Sequence, residues 1–193
     1  MPRAGLDTAA VVKGAAELAD EAGFANLSMG LVAERLGVRT PSLYKHVDGL
    51  ADLGRKIAVL ALTELGDAVH DAIQGRSGPA ALDALARAIR DYVIRHPGRY
   101  WATIGIPDGG PGDPLTVAGE RIITSMVAVL EGYRIGPDDM SHALRTLRSL
   151  LHGFATLQAA NGFQWNADAE ESFTWLVAFT NRGLSAAPPE PRT

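Results

Sequence analysis

The chain has 193 residues with 18 Lys and Arg against 22 Asp and Glu, a net charge of −4, and no cysteine. That length suits a small domain joined to a medium one with ample core. The missing cysteine rules out disulfides and thiolate metal sites and suits a reducing, cytoplasmic setting. No run of about 18 apolar residues exists, so no membrane span is expected, and the opening MPRAGLDTAA lacks the apolar core of a signal peptide.

Taken in order, the chain reads as helices almost throughout. Asp7 is placed to cap a first helix that runs to about Glu21, with Leu6 and Val11 as a hydrophobic staple. Ser28 is the N-cap expected for a second helix, whose apolar face is Leu31, Val32 and Leu36. Gly37 falls where the chain must turn, because only glycine takes left-handed angles without steric cost. Thr40 is expected to cap a short helix from Pro41 to Val47, with Pro41 in its first turn, where a missing N–H is harmless. Too short to stand alone, that helix must be held through Leu43 and Val47, which leaves Ser42, Tyr44, Lys45 and His46 for something outside. Asp48 is expected to cap a long helix that ends near Ile73 and belongs to both halves of the molecule. Pro79 starts a further helix that stops near His96-Pro97, and a short one is read from Arg99 to Gly105. Ile106–Pro114 (IPDGGPGDP) reads as a mobile connection, since it lacks the Gly-Lys-Ser/Thr ending of a phosphate loop. Helices follow near 114–132, 137–160 and 168–184, and 186–193 reads as a flexible tail.

Three features suggest function. Residues 28–47 have the form of a helix-turn-helix, which presents the N-terminal end of its second helix to the major groove. Arg39, Thr40, Pro41 and Ser42 stand at that end and face base edges in this reading, with Arg39 suited to guanine and the Pro41 ring to a thymine methyl. The electrostatic footprint is local. Residues 1–60 carry 7 Lys and Arg against 7 Asp and Glu, and the acidity lies in the remainder.

The second feature is the pair of last helices. Met140, Leu144, Leu147, Leu151, Phe154 and Gln158 fall on one line at 100° per residue. The final helix is apolar nearly all round, through Phe173, Trp175, Leu176, Val177 and Phe179. A helix greasy on every side is covered on every side, and a second copy of the same helices is the simplest cover. Leu144, Leu147, Leu151, Phe154, Phe173, Leu176 and Phe179 are therefore the expected dimer contacts. The third feature is a set of aromatic, apolar and scattered polar residues suited either to a ligand cavity or to plain core: Tyr92, Tyr100, Trp101, Ile104, Ile122, Met126, Arg148, His152 and Gln158. Gln158 is the sharpest anomaly, because a buried amide needs partners. His142 and His152 are out of phase for a metal pair, and no nucleophile, base and orienter stand at telling spacings. Neither an enzyme nor a cofactor is expected.

The stretch Leu27–Gly49 resembles the DNA-binding domain of the TetR family of transcriptional regulators. The resemblance rests on Ser28, Ala33, Leu36, Gly37, Val38, Pro41, Leu43, Tyr44, His46, Val47 and Leu53, and Leu6–Phe24 is similar to that family's first helix. Beyond about residue 55 only the helical pattern and the run Leu147–Phe163 continue it. The resemblance implies an all-α fold of about nine helices. Residues 1–49 would form the DNA-binding domain and 50–185 the ligand-binding and dimerisation domain, with dimers joined through the last two helices. It also implies phosphate contacts from Tyr44, Lys45 and His46, with Ser28 and its helix start as a further phosphate contact, and release from operator DNA by a small, largely apolar or aromatic effector. Leu50 stands where the family often has lysine, and Gly30 where some members carry a longer side chain. A helical carrier or interaction module without DNA binding is the alternative that the neutral charge and Leu50 leave open.

Overall fold

The computed structural model describes residues 6–107, 109–164 and 166–186. Among these there are nine α-helices and two 3-10 turns, and no strand. They are α1 (Thr8–Ala22), α2 (Met29–Arg35), α3 (Thr40–Leu43), α4 (Leu50–Ile73), α5 (Gly78–Arg95), α6 (Pro97–Trp101), α7 (Pro114–Leu130), α8 (Met140–Ala159) and α9 (Ala169–Ser185). The segment 187–193, read above as most of a flexible tail, lies outside the described residues.

The described chain forms two compact units. The first holds everything up to Glu64 together with Arg95–Ala118, and the second holds Leu65–Ile94 and the chain from Gly119 onward. This division differs from a cut at residue 49, because α4 contributes to both units and the 95–118 segment folds back into the first.

Local signals set the first unit. Asp7 caps α1 by accepting the Ala10 N–H at 2.7 Å, and Ser28 Oγ caps α2 by accepting the Leu31 N–H at 3.2 Å. Gly37 sits at φ +64°, in the left-handed region the turn requires. The helix after the turn is shorter than expected: α3 ends at Leu43, and Tyr44–His46 form a turn closed by the His46 N–H on the Leu43 carbonyl at 2.9 Å. Thr40 is not a cap, since it already lies in the first turn of α3, whose N-cap Arg39 makes no side-chain cap bond. Asp48 is not adjacent to the start of α4 either. Gly49, at φ +107°, intervenes, and the Asp48 N–H instead donates to Asp52 Oδ2 at 2.9 Å. Val11, Ala15, Val32, Leu43, Leu53 and Ile57 are buried in one cluster with Ala102 and Leu115.

Two residues of the glycine-rich connection, Pro107 and Asp113, are held by α4. Arg55 of α4 donates to the Pro107 carbonyl at 2.9 Å and to Asp113 Oδ2 at 2.7 Å, while Asp113 Oδ1 accepts the Leu115 N–H at the start of α7. The second unit buries Leu82, Leu85, Ile89 and Val93 of α5, Val129 and Leu130 of α7, Leu147 and Leu151 of α8, and Phe173 and Val177 of α9.

Candidate nucleic-acid interface

The stub 40–47 divides its residues sharply. Leu43 is wholly buried and Val47 nearly so, which anchors the stub on the first unit's core. Arg39, Pro41, Tyr44 and Lys45 are exposed, Tyr44 at 56%, while Thr40, Ser42 and His46 are half-buried. Ser28 is exposed at the start of α2, and the Thr8 hydroxyl reaches the His46 carbonyl at 3.5 Å. The eight residues read as DNA contacts therefore share one unit, and none of the eight is fully buried. Exposed Leu50 opens α4 beside them.

The residues read as a ligand cavity do not share one unit. Tyr100, Trp101 and Ile104 belong to the first, where Tyr100 is buried and Trp101 and Ile104 are exposed. Tyr92, Ile122, Met126, Arg148, His152 and Gln158 belong to the second. Of these Tyr92 and Met126 are buried, Arg148 is exposed, and Ile122, His152 and Gln158 are half-buried. Burial, and secondly the charge of Arg148, hold the His152 imidazolium below the usual histidine range.

Gln158 finds its partner in Arg90, which sequence reasoning missed. Arg90 is 7% exposed, donates from Nε to Gln158 Oε1 at 2.8 Å, and pairs through Nη1 with Glu170 of α9. Its guanidinium carbon lies 4.6 Å from the centre of the Phe173 ring and 6.0 Å from that of Phe154. Arg87 adds a second cation to Glu170 at 2.6 Å, and the two arginines, Arg87 first, hold that carboxyl at a pKa of about 2. The signal was present in the sequence: Leu82, Ala86, Arg90 and Val93 recur at core spacing, so a cation sits where an apolar residue belongs.

The last two helices split the expected dimer contacts. Leu147, Leu151 and Phe173 are buried in the chain's own second unit and are not available to another copy. Leu144, Phe154 and Leu176 are half-buried, and Phe179 is 51% exposed. Trp175 and Leu157, which that set omitted, are exposed at 63% and 50%, and Trp175 stacks on Phe179 with ring centres 5.3 Å apart. Among the described residues no group of three or more His, Cys, Asp or Glu is gathered for a metal, and no helix is long and apolar enough to cross a membrane.

Comparison with known proteins agrees with this architecture. Residues 11–48 match the family model described as bacterial regulatory proteins, tetR family, and residues 82–180 match that of the tetracyclin repressor-like C-terminal domain. The HTH-type transcriptional regulator YobS of Bacillus subtilis (strain 168) is 34% identical over 95% of this chain and 95% of its own. BioQ solved with its double-stranded DNA operator has a TM-score of 0.69 at 20% identity, covering 95% of this chain and 100% of that one. A TetR variant of Acinetobacter baumannii AYE solved with minocycline gives 0.66 at 24% identity, covering 94% and 100%. With both family models matched in chain order and a relative aligned nearly end to end, the chain belongs to the TetR family of bacterial transcriptional regulators.

Proposed function

We propose that the protein is a homodimeric repressor that binds operator DNA through the 40–47 stub and the Arg39 before it and leaves it when a small apolar or aromatic effector binds. The observation that carries this reading is the split of the stub, with Leu43 and Val47 inward and Arg39, Pro41, Tyr44 and Lys45 outward. In this reading Arg39, Thr40, Pro41 and Ser42 meet base edges, while Ser28, Tyr44, Lys45 and His46 meet phosphates. The relative solved with its operator and the one solved with minocycline share the fold, which supports both halves of the reading.

Dimerisation runs through the outward faces of α8 and α9, centred on Leu157, Trp175 and Phe179 with Leu144, Phe154 and Leu176 beside them. The effector shifts the dimer toward a state whose stubs no longer match half-sites about 34–36 Å apart. It does so only as far as it binds the two states unequally.

Selection of duplexes from a random pool by the full-length protein tests the DNA reading. The expected result is an enriched two-fold motif. Tyr44→Ala weakens binding to all duplexes, and Ser42→Ala mainly relaxes preference at one half-site position. A pool that stays unenriched, or two variants indistinguishable from wild type, would overturn it.

A further inference from the structure

Two neighbouring carboxylates at the end of α1 hold different helices. Asp20 takes α6: Oδ1 accepts the backbone N–H of Arg99 at 2.9 Å, Oδ2 accepts Arg99 Nε at 2.8 Å, and His96 Nδ1 lies 3.2 Å from Oδ2. Arg99 is 7% exposed and carries its Nη1 on to both oxygens of Glu64 in α4, at 2.9 and 3.2 Å. Beside it Gly98 presses on the backbone of α1, so closely that a Cβ there would stand 1.8 Å from the Ala19 carbonyl oxygen. One contact that admits no side chain and one planar, forked guanidinium thus seat α6 on the final turn of α1.

Glu21, the next residue, takes α2. Arg35, the last residue of that helix, donates to its two oxygens at 2.5 and 2.7 Å. Leu36 follows and leans on Gly14 of α1, where a Cβ would be only 2.7 Å from Leu36 Cδ2. The turn then closes with the Val38 N–H on the Ala33 carbonyl at 3.0 Å and delivers the chain to Thr40. At the other end of this series α5 leads directly to His96, and the chain passes from the second unit to the first between Ile94 and Arg95.

We infer that Arg99 is a positioning residue for the DNA-reading turn: through Asp20 and Glu21 at the end of α1 it sets the place of Arg35 and hence of residues 36–43. A shift at the C-terminal end of α5 then reaches the stub through α1, alongside any route along α4. The Arg99–Asp20 pair at the centre of this series is largely buried, and a buried ion pair is a weak source of stability compared with apolar packing of the same volume, so its use here fits a role in fixing geometry. The inference rests on the reading that the stub meets DNA, and the experiment below separates the two.

The full-length chain is compared as wild type, Arg99→Gln, Arg99→Lys, Glu21→Gln and the double variant Arg99→Gln with Glu21→Gln, by amide hydrogen exchange without DNA. Arg99→Gln is expected to speed exchange over Leu36–Leu43 about tenfold and to leave Leu147–Ala155 unchanged. Arg99→Lys restores part of the protection, and in the Glu21→Gln background Arg99→Gln adds little. Equal acceleration in both regions, no change at Leu36–Leu43, or the same factor with and without Glu21 overturns the inference. Should Arg99→Gln fail to fold, Asp20→Asn interrupts the same path while leaving the Arg99–Glu64 pair. With a selected duplex, Arg99→Gln is expected to weaken binding with an unchanged salt slope, since it removes no phosphate contact. A reduced slope would mean that Arg99 itself meets DNA, and the positioning role would fall. A failed duplex selection would remove the DNA reading and leave the exchange result standing.

Discussion

Gly98→Ala is the most exacting test of how α6 is seated. In a helix alanine is preferred to glycine, so any loss must be steric. The added Cβ would lie 1.8 Å from the Ala19 oxygen, 2.1 Å from the Ala19 carbonyl carbon and 2.6 Å from the Asp20 nitrogen, all backbone atoms that cannot rotate away. Ordinary contact begins at 3.4 Å, so α6 must retreat by some 1.6 Å. The Arg99 N–H bond to Asp20, now 2.9 Å, does not survive that retreat. Overpacking typically costs about 1–3 kcal/mol, and a lost hydrogen bond to a charged group about 1.5–3 kcal/mol more. The expected loss is therefore about 2.5–6 kcal/mol, a large part of the roughly 5–15 kcal/mol that a domain has. Urea unfolding followed by far-UV circular dichroism should show the midpoint lowered by about 1–2 M. Gly30→Ala is the control, because its Cβ meets nothing nearer than Ser28 Oγ at 3.9 Å, and it should be neutral or slightly stabilising. A Gly98→Ala midpoint equal to wild type would show that α6 does not rest on Ala19.

Other outcomes follow from the same geometry. Leu43→Ala empties a fully buried site and should cost about 2–5 kcal/mol, read as a lower thermal midpoint; a change under 1 kcal/mol would contradict the anchoring of the stub. Trp175→Glu with Phe179→Glu places two charges on the exposed stack of α9 and should give a monomer by sedimentation with unchanged helix content, whereas a persisting dimer would place the interface elsewhere. Glu170 has a folded pKa of about 2 against an ordinary 4.5. Its pairing therefore stabilises the fold above about pH 4.5, and that contribution is lost as pH falls from there toward 2. Stability measured down this range should fall more steeply in wild type than in Glu170→Gln, and parallel curves would refute the pairing.

Much of the fold was legible because its signals are local. Asp7, Ser28, Gly37 and Pro41 act within four residues of themselves, and α4 shows its length by unbroken apolar spacing. At two helix starts the reading slipped by a residue. The α3 start falls at Thr40 itself rather than after it, and α4 starts at Leu50, beyond Gly49, rather than directly after Asp48. What remained hidden is tertiary. Periodicity shows that Leu147 and Phe173 are covered but not by what, and the chain's own second unit covers them. Trp175 went unassigned for the same reason, since exposure in one copy is invisible to spacing. The bonds that Pro107 and Asp113 make to Arg55, more than fifty residues upstream, leave no local trace. The candidate DNA contacts were readable because a short helix with two buried anchors leaves few choices for the rest.

The interleaving of the two units has a bearing on how such a protein can be recombined. Ala102 and Leu115 lie in the same cluster as Val11 and Leu43, although about sixty to a hundred residues separate them in sequence. A head transplanted as residues 1–49 would arrive without these two, and without the guanidinium that grips Asp20. Grafts that exchange operator preference between relatives should therefore carry the 95–118 segment along with the first 64 residues, or else confine themselves to outward side chains of the stub. Evolution faces the same restriction: on the proposed reading a few point changes in the stub alter what is read, while shuffling whole heads demands three simultaneous crossovers, at 64/65, 94/95 and 118/119.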